Sequence, residues 1–248
     1  GGTEGYLGAI LISGLAALRT GARYVEIFST QTHSSLISFH QPEFITSYSF
    51  DKLKDQLSNY KNLLVGPGTS NDDWSNKSFL YFKEFIHENK SKKNIVVDAG
   101  YLNLLAKQKF HNNEWILTPH MGEAAKLLGT TNKDIQNNRL DSAKELQKIY
   151  GGIIILKGHD TIIQMQKNTF ICDHGNSGMG TAGMGDCLAG IILSLISMVD
   201  KKDYNNAVLY AVAIHSFAAD NILKKNGRIG LLASDVIVEV NNLLNLKI

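Results

Sequence analysis

Apolar residues follow two alternating rhythms along this chain. Longer segments with apolar positions at helical spacing, Leu7–Arg19, 77–88, 122–128 and 141–150, predict helices. Short apolar runs at 24–28, 63–65, 95–97 and 116–117 predict strands, and the last three stop at Gly-Pro, Asp-Ala-Gly and Thr-Pro turn signals. Such alternation predicts an α/β domain with a mostly parallel sheet and helices on both faces. From residue 153 the rhythm tightens. Runs at 153–157, 161–165 and Thr169–Cys172, separated by Gly158-His159-Asp160 and a turn near Asn168, predict an antiparallel edge. Helices at 186–198, 204–224 and 234–244 complete the chain. Pro67 and Pro119 directly follow predicted strands, so the segments VGPGT, DAG and TPH are expected at the carboxyl edge of the sheet, where open α/β sheets bind ligands.

The segment 175–188, GNSGMGTAGMGDCL, places five glycines ahead of Asp186 and runs into the apolar stretch LAGIILSLI. Glycines let backbone N–H groups turn toward one point, and the following helix adds its unpaired N–H groups and positive end, which makes an anion cradle. A loop that only bound phosphate would gain nothing from Asp186, whereas phosphoryl transfer to a hydroxyl would use that carboxylate to orient the acceptor and take its proton. Two other readings fit less well. Gly178, Gly180 and Gly183 satisfy G-x-G-x-x-G, but the dinucleotide fingerprint belongs in an early βαβ unit with an acidic residue about 20 positions on. The Walker pattern occurs nowhere in the chain. In a purely structural role, Asp186 would stabilise the first turn of its helix by ~0.3–1 kcal/mol, and the same dipole would lower its pKa.

Composition narrows the function classes. At 248 residues and 44% apolar, the chain can build one large core. A net charge of +2, with short lysine runs at 90–93, 201–202 and 224–225 read as solvated helix ends, argues against nucleic acid. Cys172 and Cys187, with no C-x-x-C and no zinc spacing, read as buried apolar residues. No apolar run reaches the about 18 residues of a membrane span, so a soluble, cytoplasmic protein is expected.

Six motifs, in order, carry a resemblance: GYLGA at 5–9, GLAALRTGA at 14–22, VGPGT at 65–69, VVDAG at 96–100, TPHMGEA at 118–124 and LKGHDT at 156–161. With GNSGMGTAGMGDCLAGII, the chain resembles the ribokinase-like superfamily and, within it, the ADP/ATP-dependent NAD(P)H-hydrate dehydratases. The resemblance implies a three-layer α/β/α sandwich. It implies phosphorylation of the hydroxyl of (6S)-NAD(P)H hydrate by ADP or ATP with Mg2+, then loss of phosphate to restore NADH or NADPH. It further implies a homotetramer and a strand ahead of the first glycines. In bifunctional relatives it implies an upstream NAD(P)H-hydrate epimerase domain.

Carried onto this sequence, the family pattern makes Asp186 catalytic and places Ala9, Gly66, Gly68, His120 and Asp186 around the hydrated substrate. Lys157, Gly158, His159, Asp160, Thr161, Gly183 and Gly185 would hold the nucleotide. His120 stands where vitamin-precursor kinases of the superfamily tend to have Asn, which favours the dehydratase branch, although a histidine after Thr118-Pro119 also suits a helix cap. Glu123 reads as a capping partner that reaches back to Thr118-Pro119, with water-mediated magnesium binding as the other role. Relatives often read GPGLG where this chain has Gly66-Pro67-Gly68-Thr69-Ser70. Two alternatives remain open: a small-molecule alcohol kinase of the same fold, and a nucleotide-binding module without catalysis.

Overall fold

The computed structural model describes residues 1–88 and 93–246. In chain order its elements are α1 (Leu7–Arg19), β1 (Val25–Phe28), α2 (Gln31–His40), β2 (Phe44–Ser47), α3 (Phe50–Asn59), β3 (Asn62–Val65), α4 (Asp73–Glu88), β4 (Asn94–Val97), α5 (Gly100–Lys107) and β5 (Trp115–Leu117). There follow α6 (Met121–Leu128), α7 (Asn132–Asn137), α8 (Arg139–Tyr150), β6 (Ile153–Leu156), β7 (Thr161–Gln164), β8 (Thr169–Cys172), α9 (Met184–Ser197), α10 (Tyr204–Asn226) and α11 (Ala233–Leu244). Strands β3 to β8 form one sheet in sequence order, parallel through β6 and antiparallel from β6 to β8. The mostly parallel sheet with an antiparallel edge is therefore present.

Period-two alternation divides the core. Ile95, Val97, Trp115, Leu117, Ile154 and Leu156 pack toward α3 to α8, whereas Val96, Ile116, Ile153 and Ile155 pack toward α9, α10 and α11. Both faces of these strands are covered, as parallel strands require, and each large side chain so buried contributes about 1.5–3 kcal/mol. Trp115 also satisfies its indole N–H, which donates to the Tyr150 carbonyl at 3.0 Å. Cys172 and Cys187 are buried and unpaired, as expected.

The segment 31–59 forms α2, β2 and α3, three elements absent from those expected of the sequence. Helix α2 buries only His33, Ser34 and Ile37, so its sequence carries no apolar stripe; a cap at Thr30, whose side chain accepts from the His33 N–H, starts it instead. Helix α3 buries Leu53 and Leu57, which with partly buried Phe50 make a short stripe at helical spacing. Strands β1 and β2 pair in parallel as a separate two-stranded sheet. An apolar cleft of about 410 Å³ lies between β1 and β3, lined by Ile27, Leu53, Leu57 and Leu63 among others. At its carboxyl end Gly1 donates to the Phe28 carbonyl, Gly2 to Pro67 and Thr3 to Gly68, which seats the residues leading into GYLGA against VGPGT.

One charge expectation is corrected. Lys93 is buried rather than solvated, because its ammonium donates to the carbonyls of Tyr60 at 2.6 Å and Ser58 at 3.1 Å at the end of α3. Lys90 and Lys92 lie outside the described residues, while Lys201, Lys202, Lys224 and Lys225 are exposed.

Candidate active site

The carboxyl ends of β3 to β6 converge because their ladder continues one residue past each strand. Asp98 N–H donates to the Val65 carbonyl, Thr118 N–H to Val97 and Lys157 N–H to Pro119. Backbone proximity dictates the glycines of VGPGT. A Cβ at Gly66, which has φ of 112°, would lie 1.8 Å from the Asp98 carbonyl oxygen, and one at Gly68 would lie 2.6 Å from that of Tyr6. Ala9, in the first turn of α1, is held in the same region by the contacts of residues 1–6 with this loop. Gly66 and Gly68 thus lie at the sheet edge expected of VGPGT, and Ala9 follows the segment that contacts them.

Asp98 lies at the centre of this edge and is 1% exposed. One of its oxygens, Oδ1, accepts from Lys157 Nζ at 2.7 Å and from Thr118 Oγ1 at 2.7 Å. Immediately after it, Ala99 adopts φ 49°, ψ −125°, a conformation that costs a residue with a Cβ about 1–3 kcal/mol and that clusters at functional sites. Sequence reading quoted VVDAG without giving Asp98 a role; a carboxylate directly after a buried strand was the available signal. Burial alone would lower the pKa of Lys157. The carboxylates of Asp98, Glu123 and Asp186 overcome that effect and raise it, so the ammonium stays charged.

Gly183, with φ of 88°, is the N-cap of α9, and Gly185 and Asp186 occupy the first turn. No side chain caps this terminus, which leaves N–H groups of the first turn available to an anion. Gly185 faces the ion pair closely enough that a Cβ there would sit 2.9 Å from Lys157 Nζ and 3.7 Å from Asp98 Oδ2. The nucleotide candidates Lys157 and Gly185 are therefore brought together. The pKa expectation for Asp186 is overturned: burial, reinforced by the Asp98 carboxylate, raises it to about 7 against the opposing pull of Lys157. Desolvation is the largest cause, and it leaves Asp186 a better base at neutral pH than a surface carboxylate.

His120 is the N-cap of α6, and its Nδ1 accepts from Gly122 N–H at 2.9 Å and Glu123 N–H at 3.4 Å. Glu123 does cap the helix, but it accepts from His120 N–H at 2.8 Å rather than reaching Thr118-Pro119, because His120 is the N-cap and Glu123 its N3 partner in a capping box. Partial desolvation and the nearby Lys157 lower the pKa of His120, consistent with a neutral ring accepting at Nδ1. Glu123 is buried, which pushes its pKa up to about 7. The imidazole itself is 60% exposed, so capping leaves much of the ring free to meet a ligand.

The turn Gly158-His159-Asp160 projects to solvent, and Thr161 Oγ1 donates to the Gly158 carbonyl at 3.1 Å. Arg139, which sequence reading missed, secures the turn by donating to the carbonyls of His159 and Leu156. Its position at the start of α8, remote in sequence, gave no signal. Among the described residues no cluster of three or more His, Cys, Asp or Glu side chains forms a metal cage, and no helix is long and apolar enough to cross a membrane.

Comparison with known proteins connects this geometry to a lineage. The chain is similar to the bifunctional NAD(P)H-hydrate repair enzyme Nnr of Coxiella burnetii, with 36% identity over 99% of this chain and 49% of that protein. It is 30% identical to the ADP-dependent (S)-NAD(P)H-hydrate dehydratase of Streptococcus pneumoniae over 91% of this chain and 79% of that one. The structure of the ADP/ATP-dependent NAD(P)H-hydrate dehydratase from Bacillus subtilis, co-crystallized with ATP and Mg2+, superposes with a TM-score of 0.85 and 26% identity, covering 98% of this chain and 86% of that one. The architecture is ribokinase-like. The chain spans about half the length of the first bifunctional relatives it matches. Matched over residues 1–242 by the model of that family, the chain belongs to the NAD(P)H-hydrate dehydratase family.

Proposed function

We propose that this chain dehydrates (6S)-NADH or NADPH hydrate at the expense of ADP, with ATP as the alternative donor. The observation that carries the reading is the placement of Asp186 in the first turn of α9, one residue after a glycine that faces the Lys157–Asp98 pair. Asp186 orients the ring hydroxyl and accepts its proton as the hydroxyl oxygen attacks the terminal phosphorus of ADP. AMP leaves with the electron pair of the broken P–O bond. The ring-nitrogen lone pair then expels phosphate, and loss of a proton from the adjacent carbon restores the dihydropyridine. First-turn N–H groups at Gly185 and the Lys157 ammonium stabilise the charge spread over the transferring group.

The residues fit a magnesium ion that arrives on the nucleotide phosphates better than one held by protein alone. Magnesium commonly keeps waters and takes only one or two carboxylates. Glu123, a buried carboxyl beside Lys157 and Asp98, is the one suited to hold it, through water. When bound, the ion supplies neutralisation of phosphate charge. On the substrate side, the exposed edge of His120 and the close backbone at Ala9, Gly66 and Gly68 frame the hydrated nicotinamide.

Incubation of the protein with prepared hydrate and ADP or ATP, followed through the return of absorbance in the NADH band, tests the reading. AMP and phosphate formed in equal amounts with NADH are expected with ADP. A stable phosphorylated alcohol with no NADH would replace it with the kinase reading.

A further inference from the structure

In the glycine loop between β8 and α9, Ser177, Gly180, Thr181 and Ala182 are exposed and none of residues 173–182 is buried, so its apolar anchorage is limited to Met179, partly buried against the core. With glycines at 175, 178, 180 and 183, such a segment has many conformations to lose. Polar contacts must therefore select the one that leads into the cradle. Two of them, at the start of the loop, end at one carboxylate on α10. Asp220 Oδ2 accepts from the Gly175 N–H at 2.9 Å, and Oδ1 accepts from Asn176 Nδ2 at 3.0 Å. Asn176 passes the constraint on, because its own Oδ1 accepts from the Gly178 N–H at 3.0 Å and caps the 3-10 turn Ser177–Met179. His174 Nδ1 lies 3.5 Å from the same carboxylate, and Thr181 Oγ1 ties the far end of the loop to the Leu231 carbonyl.

We infer that Asp220 is a positioning residue for the anion cradle: through Gly175 and Asn176 it sets the path of the glycine loop on which nucleotide binding depends. This rests on the proposed nucleotide site, but its hydrogen bonds are read directly from the fold. Helix α10 is a suitable reference point because one side of it, including Ala211, Ile214, Ala218 and Ala219, is buried against α9 and α11. The direction of each bond also fixes the chemistry needed. In Asp220→Asn, the new amide oxygen can still accept from Gly175, but its NH2 group would face the NH2 of Asn176. Rotation of the Asn176 amide would relieve that clash only by presenting a donor to the Gly178 N–H. The exchanged pair, Asn176→Asp with Asp220→Asn, restores every donor to an acceptor.

The test compares the wild type, Asp220→Asn and the exchanged double variant in three measurements: ADP affinity by calorimetry, amide hydrogen exchange at Gly175 and Gly178, and thermal stability. Loss of charge-assisted bonds should weaken ADP binding roughly ten- to hundredfold in Asp220→Asn and raise the KM for nucleotide more than it lowers kcat. Exchange at Gly178 should speed up by a similar factor. In the double variant both quantities should return to within about threefold of wild type. Unchanged exchange at both glycines in Asp220→Asn would overturn the inference whatever the nucleotide does. So would unaltered ADP affinity, or a well-folded double variant that fails to recover. A wild type with protected loop amides but no affinity for ADP or ATP would instead sink the proposed nucleotide site.

Discussion

Asp98 and Lys157 lie 59 positions apart in sequence, yet their carboxylate and ammonium meet at 2.7 Å beneath the first turn of α9. Each is withdrawn from water, so neither tolerates loss of the other. Lys157→Met would leave Asp98 buried and unpaired apart from Thr118, and should destabilise the protein by about 3 kcal/mol in denaturant titrations. A change below about 0.5 kcal/mol would mean that water already compensates Asp98.

The same pair tunes Asp186. Removal of the neighbouring negative charge in Asp98→Asn should lower the Asp186 pKa from about 7, since Asp98 is one of the two causes that raise it. Carboxyl-carbon NMR titration of both proteins reads this directly. In the wild type, kcat/KM should rise with pH and inflect near 7 as Asp186 ionises; in Asp98→Asn the limb should move to lower pH.

Asp186→Asn separates function from stability. Turnover should fall at least about 10²-fold, with nucleotide affinity nearly unchanged. Stability should move the other way. A carboxyl whose pKa is raised on folding binds more protons in the native than in the unfolded state between about pH 4 and 7, so the wild type loses stability as pH rises through that window. The variant should therefore be more stable than wild type by roughly 1–3 kcal/mol above pH 7 and equal to it near pH 4. Thermal melts across pH check the sign. Equal stability at pH 8 would show that Asp186 is better solvated than the fold indicates.

His120 performs two tasks that two substitutions can divide. Asn is itself a good N-cap, so His120→Asn should melt near the wild-type temperature while weakening the hydrated substrate more than the nucleotide. His120→Ala should lose the same ring and also about 1 kcal/mol of stability. Equal substrate affinity in wild type and His120→Asn would confine His120 to capping.

Gly183 is required both by its backbone and by its neighbour. Its φ of 88° disfavours any Cβ, and a Cβ there would meet Ile12 Cδ1 at 2.5 Å. Gly183→Ala should cost about 1–3 kcal/mol. Adding Ile12→Val, which deletes that methyl, should recover the steric part alone. Full recovery would assign the whole cost to the clash.

Much of this protein is determined locally. The β-branched runs, turn residues and Thr118-Pro119 before a helix announce β3 to β8, and the glycines leading to Asp186 announce the cradle, because period and turn chemistry act over a few neighbouring residues. Tertiary structure decided what depends on long-range partners. Helix α2 buries too few side chains to show a stripe and takes its face from β2 and α1, whereas α3 carries its own short stripe at Phe50, Leu53 and Leu57 and lays it against α4. Lys93 left the solvent because carbonyls from the end of α3 were there to receive it. Asp98, Arg139 and Asp220 entered the site by the same route, from strands and helices far away in sequence. Asp186 shows the division most clearly. Its place at a helix start was legible, and the dipole argued for a lowered pKa. Burial beside Asp98 reversed that sign, because the cost of desolvating a charge depends on what the whole fold packs around it.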